Sequence, residues 1–194
     1  MHLMLVVVLA LVGAAVSQAP IPCKSPAQWS ATRVRYDFKE KIVRKERYHH
    51  DAIYQRTKKI EEIEQGESKE FYEIYRFYPQ RKQYIINLKT KYCNTTALTR
   101  PFPVYEISPN DRFLGEYVIG TTAVPGEGVT IQQWGGMGRE PGTMFSGAWT
   151  LSDCLLTRWG YFSNTTGPIE ESSYYDITLG VNPEDFIQPS SCMG

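Results

Sequence analysis

Four cysteines, Cys23, Cys93, Cys154 and Cys192, and two N-x-S/T sequons, Asn94 with Thr96 and Asn164 with Thr166, carry chemistry that depends on where the chain is delivered. In an oxidising lumen an even set of cysteines forms bridges and sequon asparagines accept glycans. The N-terminus points to that lumen. Leu3 to Val16 is an uncharged apolar run that closes on the small residues Ala15, Val16 and Ser17, the pattern of a secretory signal peptide over residues 1–17. The run is shorter than the about 20 apolar residues a membrane span needs, and no other stretch comes closer, so no transmembrane segment is expected. Two disulfides are expected, among three pairings that four cysteines allow. Asn94 and Asn164 are expected to be glycosylated and to face solvent.

Catalytic constellations are weaker. His2 leaves with the signal peptide, and His49 and His50 are adjacent, so on a strand they face opposite sides and cannot share a metal without distortion. Ser146 in Met144-Phe145-Ser146-Gly147 lacks the leading glycine of a nucleophile elbow. Gly135-Gly136-Met137-Gly138 with Arg139 is no phosphate loop, because the following Glu140-Pro141-Gly142 does not open a helix. The paired carboxylates Glu61 with Glu62 and Glu170 with Glu171 have the types a glycosidase uses, but such neighbours are ordinary on solvated surfaces. No enzyme is expected, and no residue is assigned a catalytic role.

The chain has 194 residues, and residues 18–194 suit one domain large enough to bury a core. Twenty-one basic and 21 acidic residues balance. That argues against nucleic acid as the main partner, since such binders concentrate Lys and Arg. The basic cluster Lys39 to Arg47 is interrupted by Glu40 and Glu46 and reads as a solvated strand face, with an anionic surface as the alternative partner.

The elements that must position these residues are strands. Aromatics make up 13% of the chain, led by thirteen tyrosines, and they fall in alternating runs. Val34, Tyr36 and Phe38 alternate with Arg33, Arg35 and Asp37, and Tyr84, Ile86 and Leu88 repeat the pattern. Pro79-Gln80-Arg81-Lys82 predicts a hairpin from Tyr75 and Phe77 into Tyr84. Pro125-Gly126-Glu127-Gly128 predicts a second between Glu116–Thr122 and Val129–Trp134. Further strands are expected over Met144–Leu151, Leu155–Phe162 and Tyr174–Leu179. Ile53, Tyr54, Ile60, Ile63, Tyr72 and Tyr75 fit strands broken at Gln65-Gly66 better than a helix. The fold class is all-β, a single sandwich or partly closed barrel.

Assembled in order, these residues resemble the ependymin-related family. The resemblance rests on Pro22-Cys23-Lys24-Ser25-Pro26, Tyr36-Asp37, Cys93 with Leu98, Asp111-Arg112-Phe113-Leu114-Gly115 with Ile119-Gly120, and Trp134-Gly135-Gly136. It continues through Cys154, Tyr175-Asp176-Ile177, Gly180-Val181-Asn182-Pro183, and Phe186 to Pro189 and Cys192. Leu155-Leu156-Thr157 after Cys154 departs from the proline that the family often places there. The resemblance implies a secreted or lysosomal-lumen glycoprotein, dimeric, with two packed antiparallel sheets curved as a sandwich or half-barrel around an apolar pocket, like bacterial lipoprotein carriers. It also implies the pairing Cys23 with Cys154 and Cys93 with Cys192, and calcium binding. No EF-hand run is present, so calcium ligands would come from separate loops, with Asn110, Asp111, Asp176, Glu184 and Asp185 as candidates; turn capping is the competing role for Asp111 and Asp185.

The expected function is binding of a hydrophobic or lipid-like molecule without covalent chemistry. The alternative is an extracellular matrix or cell-adhesion protein whose core packs solid. Pocket residues chosen for lying in strand-like runs are Tyr84, Ile86, Leu88, Tyr117, Ile119, Trp134, Phe145 and Trp149. The choice assumes that the later strands turn their bulky residues toward the same cavity, and a one-residue slip in register would send each of them to the other face.

Overall fold

The structure, a computed structural model, describes residues 20–138 and 140–192, so the expected signal peptide lies outside the described residues. Two antiparallel meanders build it. The first runs through β1 (Gln28–Asp37), β2 (Ile42–Asp51), β3 (Arg56–Gln65), β4 (Ser68–Phe77), β5 (Lys82–Asn87) and β6 (Cys93–Ala97). The second runs through β7 (Arg112–Gly120), β8 (Gly128–Met137), β9 (Thr143–Thr150), β10 (Leu156–Ser163) and β11 (Gly167–Leu179). β1 pairs with β11 from Trp29 opposite Leu179 to Asp37 opposite Glu170, which joins the meanders into one 11-stranded sheet. The all-β antiparallel architecture is the expected one. Its two halves belong to one continuous ladder rather than to two separate sheets, and the ladder stays open, with β6 and β7 at its edges.

The turns follow the local chemistry. Gly66 at φ 60° reverses β3 into β4, and Gly126 at φ 84° sits in the β7–β8 turn, conformations that cost glycine little. Arg81 takes φ 50° at the close of the β4–β5 turn. Ile53 and Tyr54 depart from expectation: they lie in the β2–β3 turn and are exposed, because the strand pattern ends at Asp51, which accepts the Tyr54 N–H.

Alternation along paired strands gives the sheet two faces. One buries Trp29, Tyr48, Trp134, Trp149 and Tyr174 beneath Ile107 and Tyr105 of the segment joining β6 to β7. Cys23–Cys154 fastens the N-terminal segment over this face, and Ile107 N–H donates to the Cys23 carbonyl. The other face buries Tyr75, Tyr84 and Ile86 against Phe77 and the Cys93–Cys192 bridge. There the C-terminal segment is the cover: Phe186 is buried and the Arg56 guanidinium lies 4.2 Å from its ring centre. Each disulfide thus holds one covering segment on one face.

Candidate functional site

Over β7–β11 no described residue of the C-terminal segment lines this face, and the face that carries Tyr84 in the first meander forms here a groove of about 740 Å3. Ile119, Ile131, Ala148, Phe162 and Ile177 supply aliphatic and aromatic lining from five successive strands of the second meander. Gly160 opposite Ser146 lowers the floor between them, and a side chain there would meet the Phe162 ring at 2.8 Å. Two polar pairs lie in the wall: Gln133 donates to the Ser146 hydroxyl at 2.9 Å, and Arg158 pairs with Glu171 at 2.8 Å. An elongated apolar molecule would meet carbon along Ile119, Ile131, Ala148, Phe162 and Ile177 and leave these two polar pairs intact.

The eight expected pocket residues do not converge. Ile119 lines the groove, and Tyr117 stands exposed beside it on the same face. Tyr84 and Ile86 share that face but lie under the C-terminal segment, and Leu88 falls beyond the end of β5. Trp134, Phe145 and Trp149 point to the opposite face and form the aromatic core, with Phe145 stacked on Trp159 at 4.6 Å. The correction is one of parity. In β8 and β9 the bulky residues turn toward the covered face, so the groove is lined by their smaller neighbours Ile131, Ala148 and Thr150.

A second cavity, of about 430 Å3, opens on the covered face over β1–β4. Its floor is charged. Glu46 on β2 is 2% exposed and binds Arg33 on β1, Arg35 at 3.1 Å and Lys59 on β3 at 3.2 Å, while Lys59 also meets Glu61. Burial alone would raise the Glu46 pKa, but Arg33, then Lys59 and Arg35, hold it well below the usual carboxylate range. Lys59 is pulled down to about 8 by burial, against Glu46 and Glu61. Arg33 also lies 4.4 Å from the Tyr48 ring centre. Sequence reasoning placed Glu46 on a solvated face and missed this network. The available signal was the alternation Arg33, Arg35, Asp37, whose charged side proves to be the covered one.

The calcium candidates are dispersed. Asp111 accepts the Ser108 N–H at 2.7 Å in a turn, and Asp176 takes φ 50° at a bulge in β11. Asp185 faces His49 at 3.3 Å, Glu184 N–H is capped by Asn182, and Asn110 is exposed in the turn before β7. These five candidates lie in separate segments, and among the described residues no three His, Cys, Asp or Glu side chains gather as a metal group. His50 packs on Trp29 at 5.2 Å, and burial pulls its pKa down to about 4. Asn94, on edge strand β6, and Asn164, in the β10–β11 turn, are both exposed.

No helix among the described residues is long and apolar enough to cross a membrane. The architecture is similar to the crystal structure of an uncharacterized conserved protein from Thermus thermophilus, at TM-score 0.56 and 10% identity over 84% of this chain and 86% of that one. That likeness concerns the fold. The ependymin family model matches residues 66–192, from the β3–β4 turn to the last bridged cysteine. The match spans β4 to β11 with three of the four cysteines, and the fourth, Cys23, is bridged to one of them. This disulfide-bonded β chain belongs to the ependymin family.

Proposed function

We propose that this protein is a secreted glycoprotein that binds a hydrophobic or lipid-like molecule in the groove over β7–β11 and performs no covalent chemistry. The observation that carries the proposal is the groove itself: about 740 Å3, within the range of ligand sites, with aliphatic lining from five strands and Gln133 and Arg158 in its wall already paired. Secretion, with the lysosomal lumen as the alternative destination, is supported by the family and the two bridges. Glycans on Asn94 and Asn164 are supported by their exposure, and an enzymatic deglycosylation shift lost in Asn94→Gln and Asn164→Gln tests them.

Dimerisation belongs to the same proposal. β7 is a free edge whose Leu114, Tyr117, Val118 and Ile119 are all exposed, and a second copy pairing there would cover both the unpaired backbone and the mouth of the groove. The test of ligand binding is titration of secreted, gently delipidated protein with a fluorescent fatty-acid analogue. Saturable binding that Ala148→Trp abolishes supports the groove. A correctly folded protein that binds no apolar probe would favour the adhesive alternative, in which the outer surface does the work.

A further inference from the structure

The cavity over β1–β4 has more cations than its carboxylates can satisfy. Arg33, Arg35, Arg44, Lys59, Arg76 and Arg100 line it, against Asp37 and Glu61. Glu46 beneath them takes Arg33, Arg35 and Lys59, Glu61 takes Lys59 again, and Arg35 also reaches Glu170 at 3.2 Å. Arg44 reaches Glu40 at 3.8 Å, and Asp37 accepts the N–H groups of Lys39 and Glu40 through Oδ1 in the β1–β2 turn and, among the described residues, forms no ion pair with the cavity's cations. Arg76 and Arg100 remain. Arg76 gives its Nε–H to the neutral amide oxygen of Gln83 at 3.2 Å, and among the described residues neither arginine has a carboxylate partner within ion-pair distance. Burial first, and then the neighbouring charge of Arg100, lower the Arg76 pKa, as two like charges facing one cavity should. In the same wall Arg35 Nε is buried without an acceptor.

We propose that this cavity binds a phosphate or sulfate group, clamped by Arg76 and Arg100. Together the two guanidiniums and the Arg35 Nε–H present more donors than the four or so lone-pair sites of one carboxylate accept, whereas a tetrahedral oxyanion has oxygens for both forks. Tyr48, Tyr78 and Tyr105 line the same space, and the volume of about 430 Å3 exceeds what the anion alone fills. The ligand is therefore a phosphate or sulfate carried on a small organic body. It enters from the face opposite the groove, so the two sites are separate.

The test is calorimetric titration of the intact, disulfide-bonded protein at low salt with inorganic phosphate and with glycerol 3-phosphate, beside co-sedimentation with phosphatidylcholine vesicles with and without phosphatidic acid. Arg100 is exposed in the segment after β6, so Arg100→Gln should fold normally; Arg76→Gln is the second variant. Loss of one charge-assisted fork should raise Kd on the order of tenfold to a hundredfold. Binding of a soluble phosphate that either variant weakens supports the site for free phosphates. Binding confined to phosphatidic-acid vesicles and weakened by the same variants supports it for a lipid headgroup. Absence of binding by the unsubstituted protein to every probe, or binding that survives both substitutions, overturns the proposal. Fatty-acid binding in the groove should be unchanged in Arg100→Gln, so failure here and failure of the groove are distinguishable.

Discussion

Over β8–β11 the sheet turns Ile131, Ala148 and Phe162 into an open groove and pairs the polar groups beside them, whereas over β1–β4 the opposite face buries Arg33, Glu46 and Lys59 beneath the segment between β6 and β7. The strands of both regions alternate with the same period of two. The difference lies in what covers them. Where the segment between β6 and β7 lies over a face, the most deeply buried charges, Arg33, Glu46 and Lys59, pair at close range, because a buried charge without a partner is costly, and the cations left over, Arg76 and Arg100, face the cavity. Where no segment arrives, apolar side chains can stay unpacked.

Breaking a cover should have the largest effect. Cys23–Cys154 closes a separation of 131 residues, and Cys23→Ser with Cys154→Ser should lower stability by about 5 kcal/mol in the chain-entropy account. Denaturant unfolding checks it, and near-wild-type stability would mean that the N-terminal segment holds the aromatic face without its bridge. Next comes the charged floor. Glu46→Gln leaves Arg33 and Lys59 buried without their common counter-charge and should cost about 3 to 5 kcal/mol, while the same kind of change at exposed Glu127 should be close to neutral.

These two regions also show what was legible in the chain. The hairpins at Pro79 and Pro125 and the break at Gly66 were readable because a turn is specified by a few adjacent residues. The faces were not. At the end of β1 and into the turn after it the run Val34, Tyr36, Phe38 looks like the inner side, yet Tyr36 and Phe38 are each 36% exposed and Arg33 is buried, since the covering segment comes from residues far along the chain. In β8 and β9 the same ambiguity sent Trp134 and Trp149 to a pocket in expectation and to the aromatic core in fact. Period two says that a strand has two different sides, and only a distant contact says which is covered. Glu46 was hidden for that reason: its neighbours in sequence are basic, but the partners that bury it, Arg33 and Lys59, belong to other strands.

A smaller effect separates the regions by pH. His50 lies on the covered face with its pKa lowered to about 4 by burial, against 6.5 unfolded. Between those values the unfolded chain binds the proton and the folded one does not, so stability falls as pH drops from about 6.5 to about 4, by on the order of 2 to 3 kcal/mol. His50→Phe should flatten that part of the profile in thermal melts across the window, and an unchanged slope would assign it to other groups. The smallest expected effect on the fold is at the free edge. Val118→Lys on β7 should leave stability within about 0.5 kcal/mol and shift sedimentation from twice the monomer mass to the monomer mass. A monomer before substitution would remove the dimer from the account.

The contrast between an open apolar groove and a closed charged face is tested most directly by one titration, a fluorescent fatty-acid analogue added to unsubstituted protein, Ala148→Trp and Arg100→Gln side by side. Saturable binding that is lost in Ala148→Trp and retained in Arg100→Gln is the predicted result. Binding that persists when Ala148 is filled, or that disappears with Arg100, would contradict it and place the apolar ligand elsewhere in the molecule.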